Sequence, residues 1–217
     1  MPPESDQVVA LRRLLEERFP AAPLRTRRIV PTGVRQIDAL LHGGLVTGLL
    51  TEFVSVVPSG GSQLTFGSIL ISTRRARQRV ALVDAADGFS LDGLGDESVA
   101  HLVWVRCGSL AESWRAADLV VRDPNYSVIV IDVRGFPERE LLRTRDAIWV
   151  RLQRAAEQAD TAVAIQTCLA VVPNAAVRVV FAQPLDGRAL TQPRVDVVEA
   201  IGVELERMRL RAREGSA

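Results

Sequence analysis

The sequence predicts an α/β domain built on a mostly parallel central sheet. Three observations lead there. Six short apolar runs recur along the chain, and several are apolar at consecutive rather than alternate positions. Helical patterns fill the first gaps between them, and continuous apolar strands spaced by helices imply a sheet covered on both faces. The 217 residues are 47% apolar, ample for one packed core with terminal additions.

The elements follow in order. Residues 6 to 19, "DQVVALRRLLEERF", put Val8, Leu11, Leu14, Leu15 and Phe19 on one helical face, with Asp6 as N-cap. "PAAPLRTRRIVPTG" carries three prolines and reads as an extended linker, so residues 1–28 form an N-terminal helix and linker. "VRQIDALLHGG" is a short amphipathic helix stopped by Gly43 and Gly44. Strands are expected at 50–56, 79–84, 102–106, 127–132, 161–166 and 176–182, with helices over 62–77, 110–122 and 138–159. The last two strands lie close together and are expected to extend the sheet as an antiparallel edge. Residues 29–193 make the core, and 194–217 an Arg-rich tail whose 196–213 stretch reads as a final helix.

Composition narrows the classes of function. A formal charge of +1 gives no global field toward nucleic acid or membrane. All 27 basic residues are Arg, most simply a GC-rich coding bias, so no phosphate-clamping Lys can come from this chain. Cys107 and Cys168 stand apart, with His42 and His101 the only histidines, which argues against structural zinc. The acidic start "MPPESDQ" is unlike a signal peptide, and no apolar run approaches the roughly 18 to 20 residues of a membrane span. The expected location is cytoplasmic.

One stretch carries candidate chemistry. "SVVPSGGSQ" follows an apolar strand and precedes a helix, the layout of a phosphate-binding loop. Such a loop curls backbone N–H groups around phosphates, neutralises them with Lys, and holds magnesium with Ser or Thr. Against GxxxxGK[ST], Ser55 replaces the first Gly, Gly60 matches the second, Gly61 replaces the Lys, and Ser62 matches the magnesium ligand. The candidate nucleotide residues are Ser59, Gly60, Gly61, Ser62 and Asp132, which closes the strand "VIVID". Asp132 reads equally as a second magnesium contact or as a cap on the next loop. Without the Lys, hydrolysis loses its main charge stabilisation. An Arg is a poor substitute inside a tight loop because its fork is bulky and rigid. The loop reads as a relic, with no cofactor expected and ATP–magnesium as the minority alternative.

"PTGVRQIDALLHGGLVTGLLTEFVS" resembles the segment that leads into the P-loop of RecA-type domains. "HLVWVRCGSLAESWRAADLVVRDPNYSVIVIDV" and "RLQRAAEQADTAVAI" resemble the ImuA family, RecA-like accessory factors of damage-induced mutagenesis. The similarity covers roughly residues 30 to 183. It implies a RecA-like core with helical extensions at both ends. It also implies a place in translesion synthesis beside an ImuB-type, Y-family-like protein and an error-prone DNA polymerase. RecA's water-activating Glu matches Ala86, and its γ-phosphate-sensing residue matches Gln166. The loop "TCLAVVPNAA" is short and lacks Arg where RecA carries a long DNA-binding loop.

Arg74, Arg75, Arg77 and Arg79 crowd a helix end, where they complement its dipole or meet DNA or a partner. Arg207, Arg209, Arg211 and Arg213 give the tail a second basic face, solvated or turned to a partner. Arg25, Arg27 and Arg28 make a third, mobile basic stretch in the linker. No aromatic platform accompanies them, so base stacking is not expected. The amphipathic N-terminal helix packs back on its own domain or mediates RecA-like self-association or RecA contact. Three readings result. One is a non-hydrolysing RecA-like adaptor. Another is a weak ATPase using Ser62, Asp132 and an Arg from a neighbouring subunit. The third is a division inhibitor of the SulA type.

Overall fold

The computed structural model describes residues 27–209. The N-terminal helix over 6–19, and Arg25, lie outside the described residues. A small antiparallel pair, β1 (Ile29–Val30) and β2 (Leu45–Val46), brackets helix α1 (Arg35–Leu40). Then come β3 (Leu50–Ser55), α2 (Ser62–Arg75), β4 (Arg79–Asp84), α3 (Asp96–Val99), β5 (Leu102–Arg106), α4 (Leu110–Val120) and β6 (Tyr126–Asp132). The chain continues through α5 (Glu138–Leu141), α6 (Asp146–Ala159), β7 (Ala162–Thr167), β8 (Val177–Phe181), a 3-10 turn (Gly187–Thr191), α7 (Arg194–Glu199) and β9 (Glu204–Met208). No helix among the described residues is long and apolar enough to cross a membrane.

The main sheet has seven strands in the order β5-β4-β6-β7-β3-β8-β9, parallel except for β9. This is the mostly parallel α/β architecture that the alternating pattern implied. Side chains of successive strand residues take opposite faces, which is why consecutive apolar residues are needed. On β6, Val128 and Val130 face Phe66, Ile69 and Leu70 of α2, while Ile129 and Ile131 face Trp114 of α4 and Trp149 of α6. Those two indoles meet edge to face with centroids 4.9 Å apart.

Four expectations need correction. β7 and β8 are not an antiparallel edge: both run parallel to β3 and flank it. Residues 168–176 cross over β3 to join them, and Glu52 of β3 pins this crossover by accepting from Val171 N (2.7 Å) and Val172 N (3.1 Å). Among the described residues of the expected 196–213 helix, 196–209, no continuous helix forms. Helix α7 stops at Glu199, and β9 pairs antiparallel with β8, which would otherwise be a bare edge. Glu206 of β9 also reaches the buried Arg178 guanidinium at 2.8 Å, an anchor that a helix would forgo. The expected helix over 138–159 is two helices, with Arg145 in extended conformation between them and no glycine or proline to mark the break. Arg27 and Arg28 are bonded to the core rather than extending freely from it. Arg28 Nε donates to Asp160 Oδ2 (2.8 Å) and Arg27 Nη1 donates to the Gly48 carbonyl (3.0 Å).

Candidate functional site

Strand β3 ends at Ser55, and the chain turns through 56–61 before α2 begins. Two left-handed residues make the turn, Ser59 at φ +59° and Gly61 at φ +99°. Gly60 is required by contact, because a Cβ there would lie 2.9 Å from Phe181 Cβ. Thr65 N and Thr65 Oγ1 both donate to the Gly61 carbonyl, tying the turn to the first turn of the helix (2.9 and 3.0 Å). A cavity of about 820 Å³ opens above the turn, lined among others by Ser59, Gly61, Ser62, Arg134 and Arg194.

Ser59, Gly60, Gly61 and Ser62 line this cavity and Asp132 is joined to Ser62 through Arg134, at the carboxyl ends of parallel strands, where open α/β sheets place their ligand crevices. Arg134, which sequence reasoning missed, joins them. Its Nε donates to Asp132 Oδ1 (2.9 Å), its Nη2 to Asp132 Oδ2 (2.5 Å), and its Nη1 to Ser62 Oγ (2.5 Å). Asp132 also accepts from Arg134 N at 3.1 Å, so it caps its own loop as well as closing its strand. Gln166 Nε2 donates to the Ser62 carbonyl at 3.3 Å, an internal contact.

The residues present do not fit a magnesium–nucleotide. Ser62 and Asp132 cannot ligate a metal while they hold the guanidinium, and Ile201 fills the space beside Gly61. Among the described residues no cluster of three His, Cys, Asp or Glu is arranged to hold a metal ion. Cys168 lines the cavity, but burial pushes its thiol pKa up and away from thiolate reactivity. Burial likewise raises Cys107. Asp84, at the end of β4, accepts from Gly88 N, Phe89 N and Trp104 Nε1 and so anchors the loop after its strand.

The basic candidates lie elsewhere. Arg79 opens β4, so the cluster sits at the opposite end of the sheet from the turn. Arg74 is paired with Glu97 of α3 (3.0 Å), while Arg75, Arg77 and Arg79 are exposed. Arg207 lies in β9 and donates to the Pro173 carbonyl (2.9 Å), and Arg209 N donates to the Ala176 carbonyl (2.7 Å). Arg211 and Arg213 lie outside the described residues.

His101 packs beside the Arg cluster, with its Nε2 2.9 Å from Thr73 Oγ1. Burial, and then the Arg74 charge, lower its pKa from 6.5, so the fold favours neutral imidazole. The unfolded chain then binds more protons, and this contribution to stability is complete above pH 6.5 and declines as pH falls below it. Between pH 7 and 5, His101→Gln should show a flatter fall in melting temperature than wild type.

The sheet, its two helical layers and the turn at the end of β3 define a RecA-like α/β core. The sequence comparisons agree. The chain is 28% identical over 116 residues, 48% of its length, to the DNA repair and recombination protein RadB of Thermococcus gammatolerans, covering 51% of that protein. It is 33% identical over 97 residues, 40% of its length, to the DNA repair protein RAD51 homolog 4 of Mus musculus, covering 30% of it. RadB of Thermococcus kodakarensis is 26% identical over 116 residues, with 48% and 51% of the two chains covered. The chain thus spans about half or less of the curated relatives it matches, and the relationship is to DNA repair proteins of the RecA superfamily. No protein-family model matches the chain.

Proposed function

We propose that this protein is a non-hydrolysing RecA-like adaptor of a damage-induced translesion synthesis complex, of the ImuA type. It binds an ImuB-type polymerase-like protein and an error-prone DNA polymerase. The observation that carries the reading is the guanidinium of Arg134 between Ser62 and Asp132, in a loop whose Lys position is Gly61. A core that keeps the sheet and the turn but arms the turn with no phosphate-directed Lys works through its surfaces. The DNA repair names of its relatives and the ImuA-like segments support the pathway.

The test combines capture and turnover. The full chain should retain both polymerase-type partners on an affinity matrix and release no phosphate from ATP above an Asp132→Ala background. Micromolar, magnesium-dependent ATP binding with turnover, both abolished by Asp132→Ala, would overturn the adaptor reading in favour of an ATPase. Retention of the tubulin-like division protein instead of a polymerase would favour the SulA-type inhibitor.

A further inference from the structure

Ser62 and Asp132 are the two side chains that a P-loop would turn toward magnesium, and here one guanidinium joins them. All three sides of the fork are used. Nε and Nη2 form a bidentate pair with the two Asp132 oxygens, and Nη1 reaches Ser62 Oγ at 2.5 Å. The side chains of Asp132 and Arg134 are only 7% and 20% exposed, so the pair is largely buried, with Arg134 reaching the cavity. Only Val133 separates the two residues, so little chain entropy is lost in bringing them together.

The rest of the turn is occupied in the same way. A Cβ at position 61 would meet three Ile201 carbons at 2.9 to 3.2 Å, so Ile201 stands where a Lys side chain would leave the loop. Leu185 N donates to the Ser59 carbonyl (3.0 Å), and Arg194 Nη2 donates to the Leu64 carbonyl (3.0 Å) while its guanidinium lies against Gly67. The segment from Leu185 to Ile201 therefore straps the turn and the start of α2 from outside.

We propose that Arg134 is a resident cation. It takes the position of the divalent ion, and with the Ile201 strap it holds the turn in its folded form without magnesium or nucleotide. The inference rests on the non-hydrolysing reading and gives its physical cause: the site is filled by the chain's own groups, beyond the absence of a Lys. Because it is covalently part of the chain, this cation is neither chelated nor exchanged.

The test is thermal unfolding of the full chain in EDTA, in manganese, and in manganese with ADP. Wild type, Arg134→Ala and Arg134→Lys are compared, with free manganese read by electron paramagnetic resonance. Wild type should shift by less than about 1 °C among the three buffers and leave manganese free. Arg134→Ala should melt roughly 4 to 8 °C lower in EDTA and regain about half of that in manganese, as Ser62 Oγ and the Asp132 carboxylate take the ion. Arg134→Lys, a point charge without the fork, should fall between them, and it carries the same comparison if the Ala variant does not fold. A wild-type gain above about 3 °C with manganese–ADP would show the guanidinium to be displaceable and overturn the proposal. So would an Ala variant that loses nothing, or one that gains nothing from manganese. Manganese–ADP binding to wild type without turnover, with partner capture intact, sinks the resident cation alone. Loss of partner capture with these melting shifts as expected sinks the adaptor reading alone.

Discussion

Arg178→Ala is expected to lower the melting temperature by roughly 6 to 20 °C, the largest loss of any single substitution considered. Glu52 sits in the middle of β3 with no exposed surface, and Arg178 Nε donates to its Oε2 at 2.6 Å. Burial alone would lower the Arg178 pKa, but hydrogen bonds and charges from Glu52 and Glu206 outweigh it and raise the value. Truncating Arg178 leaves the Glu52 charge buried and uncompensated, and it orphans the Val172 carbonyl that Nη2 satisfies. Such a loss costs about 3 to 5 kcal/mol. Glu52→Gln should cost less, because a neutral acceptor remains for Val171 N and Val172 N. The double variant Glu52→Gln with Arg178→Ala should regain part of the loss, since it buries no unpaired charge. Urea and thermal unfolding of the four proteins close the cycle. A loss under about 2 °C for Arg178→Ala would mean that water reaches Glu52 and the network contributes little.

This network also marks where sequence reading runs out. The strands were legible because runs such as "SVIVID" must serve two buried faces at once. The crossover over β3 was not, because nothing in "TCLAVVPNAA" says which strand it passes. The opposite charges of Glu52 in "LTEFVS" and Arg178 in "VRVVF" were the available signal, since a lone charge in a buried strand needs a partner. The tail misled because its helical pattern is real over α7, whereas β9 is dictated by the bare edge of β8 and by Arg178. Arg134 was hidden among many arginines. Only its place two residues after the strand-closing Asp132 distinguished it, and that spacing has meaning only once the turn is built.

Gly61→Lys restores the missing P-loop residue on paper, yet it is expected to yield a less stable protein that still turns over no ATP. Gly61 holds φ at +99°, a conformation that costs an L-residue about 1 to 2 kcal/mol. Its new Cβ would meet Ile201 at 2.9 Å, and overpacking of this kind costs a further 1 to 3 kcal/mol or so. Together they imply a melting temperature roughly 4 to 20 °C lower. The two costs separate by experiment. Gly61→Ala carries the backbone strain and the first contact, while Gly61→Lys with Ile201→Ala relieves the contact and keeps the strain. Measured against Ile201→Ala alone, which carries its own cavity cost, adding Gly61→Lys should therefore cost about half as much as it does in wild type, and the double variant should still release no phosphate, because Arg134 continues to hold Ser62 and Asp132. Calorimetry reads the first expectation and a phosphate-release assay the second. A stable Gly61→Lys protein with magnesium-dependent turnover would mean that the strap withdraws and Arg134 yields its partners. The turn would then be an ATPase site lacking one side chain, and the adaptor reading would fall.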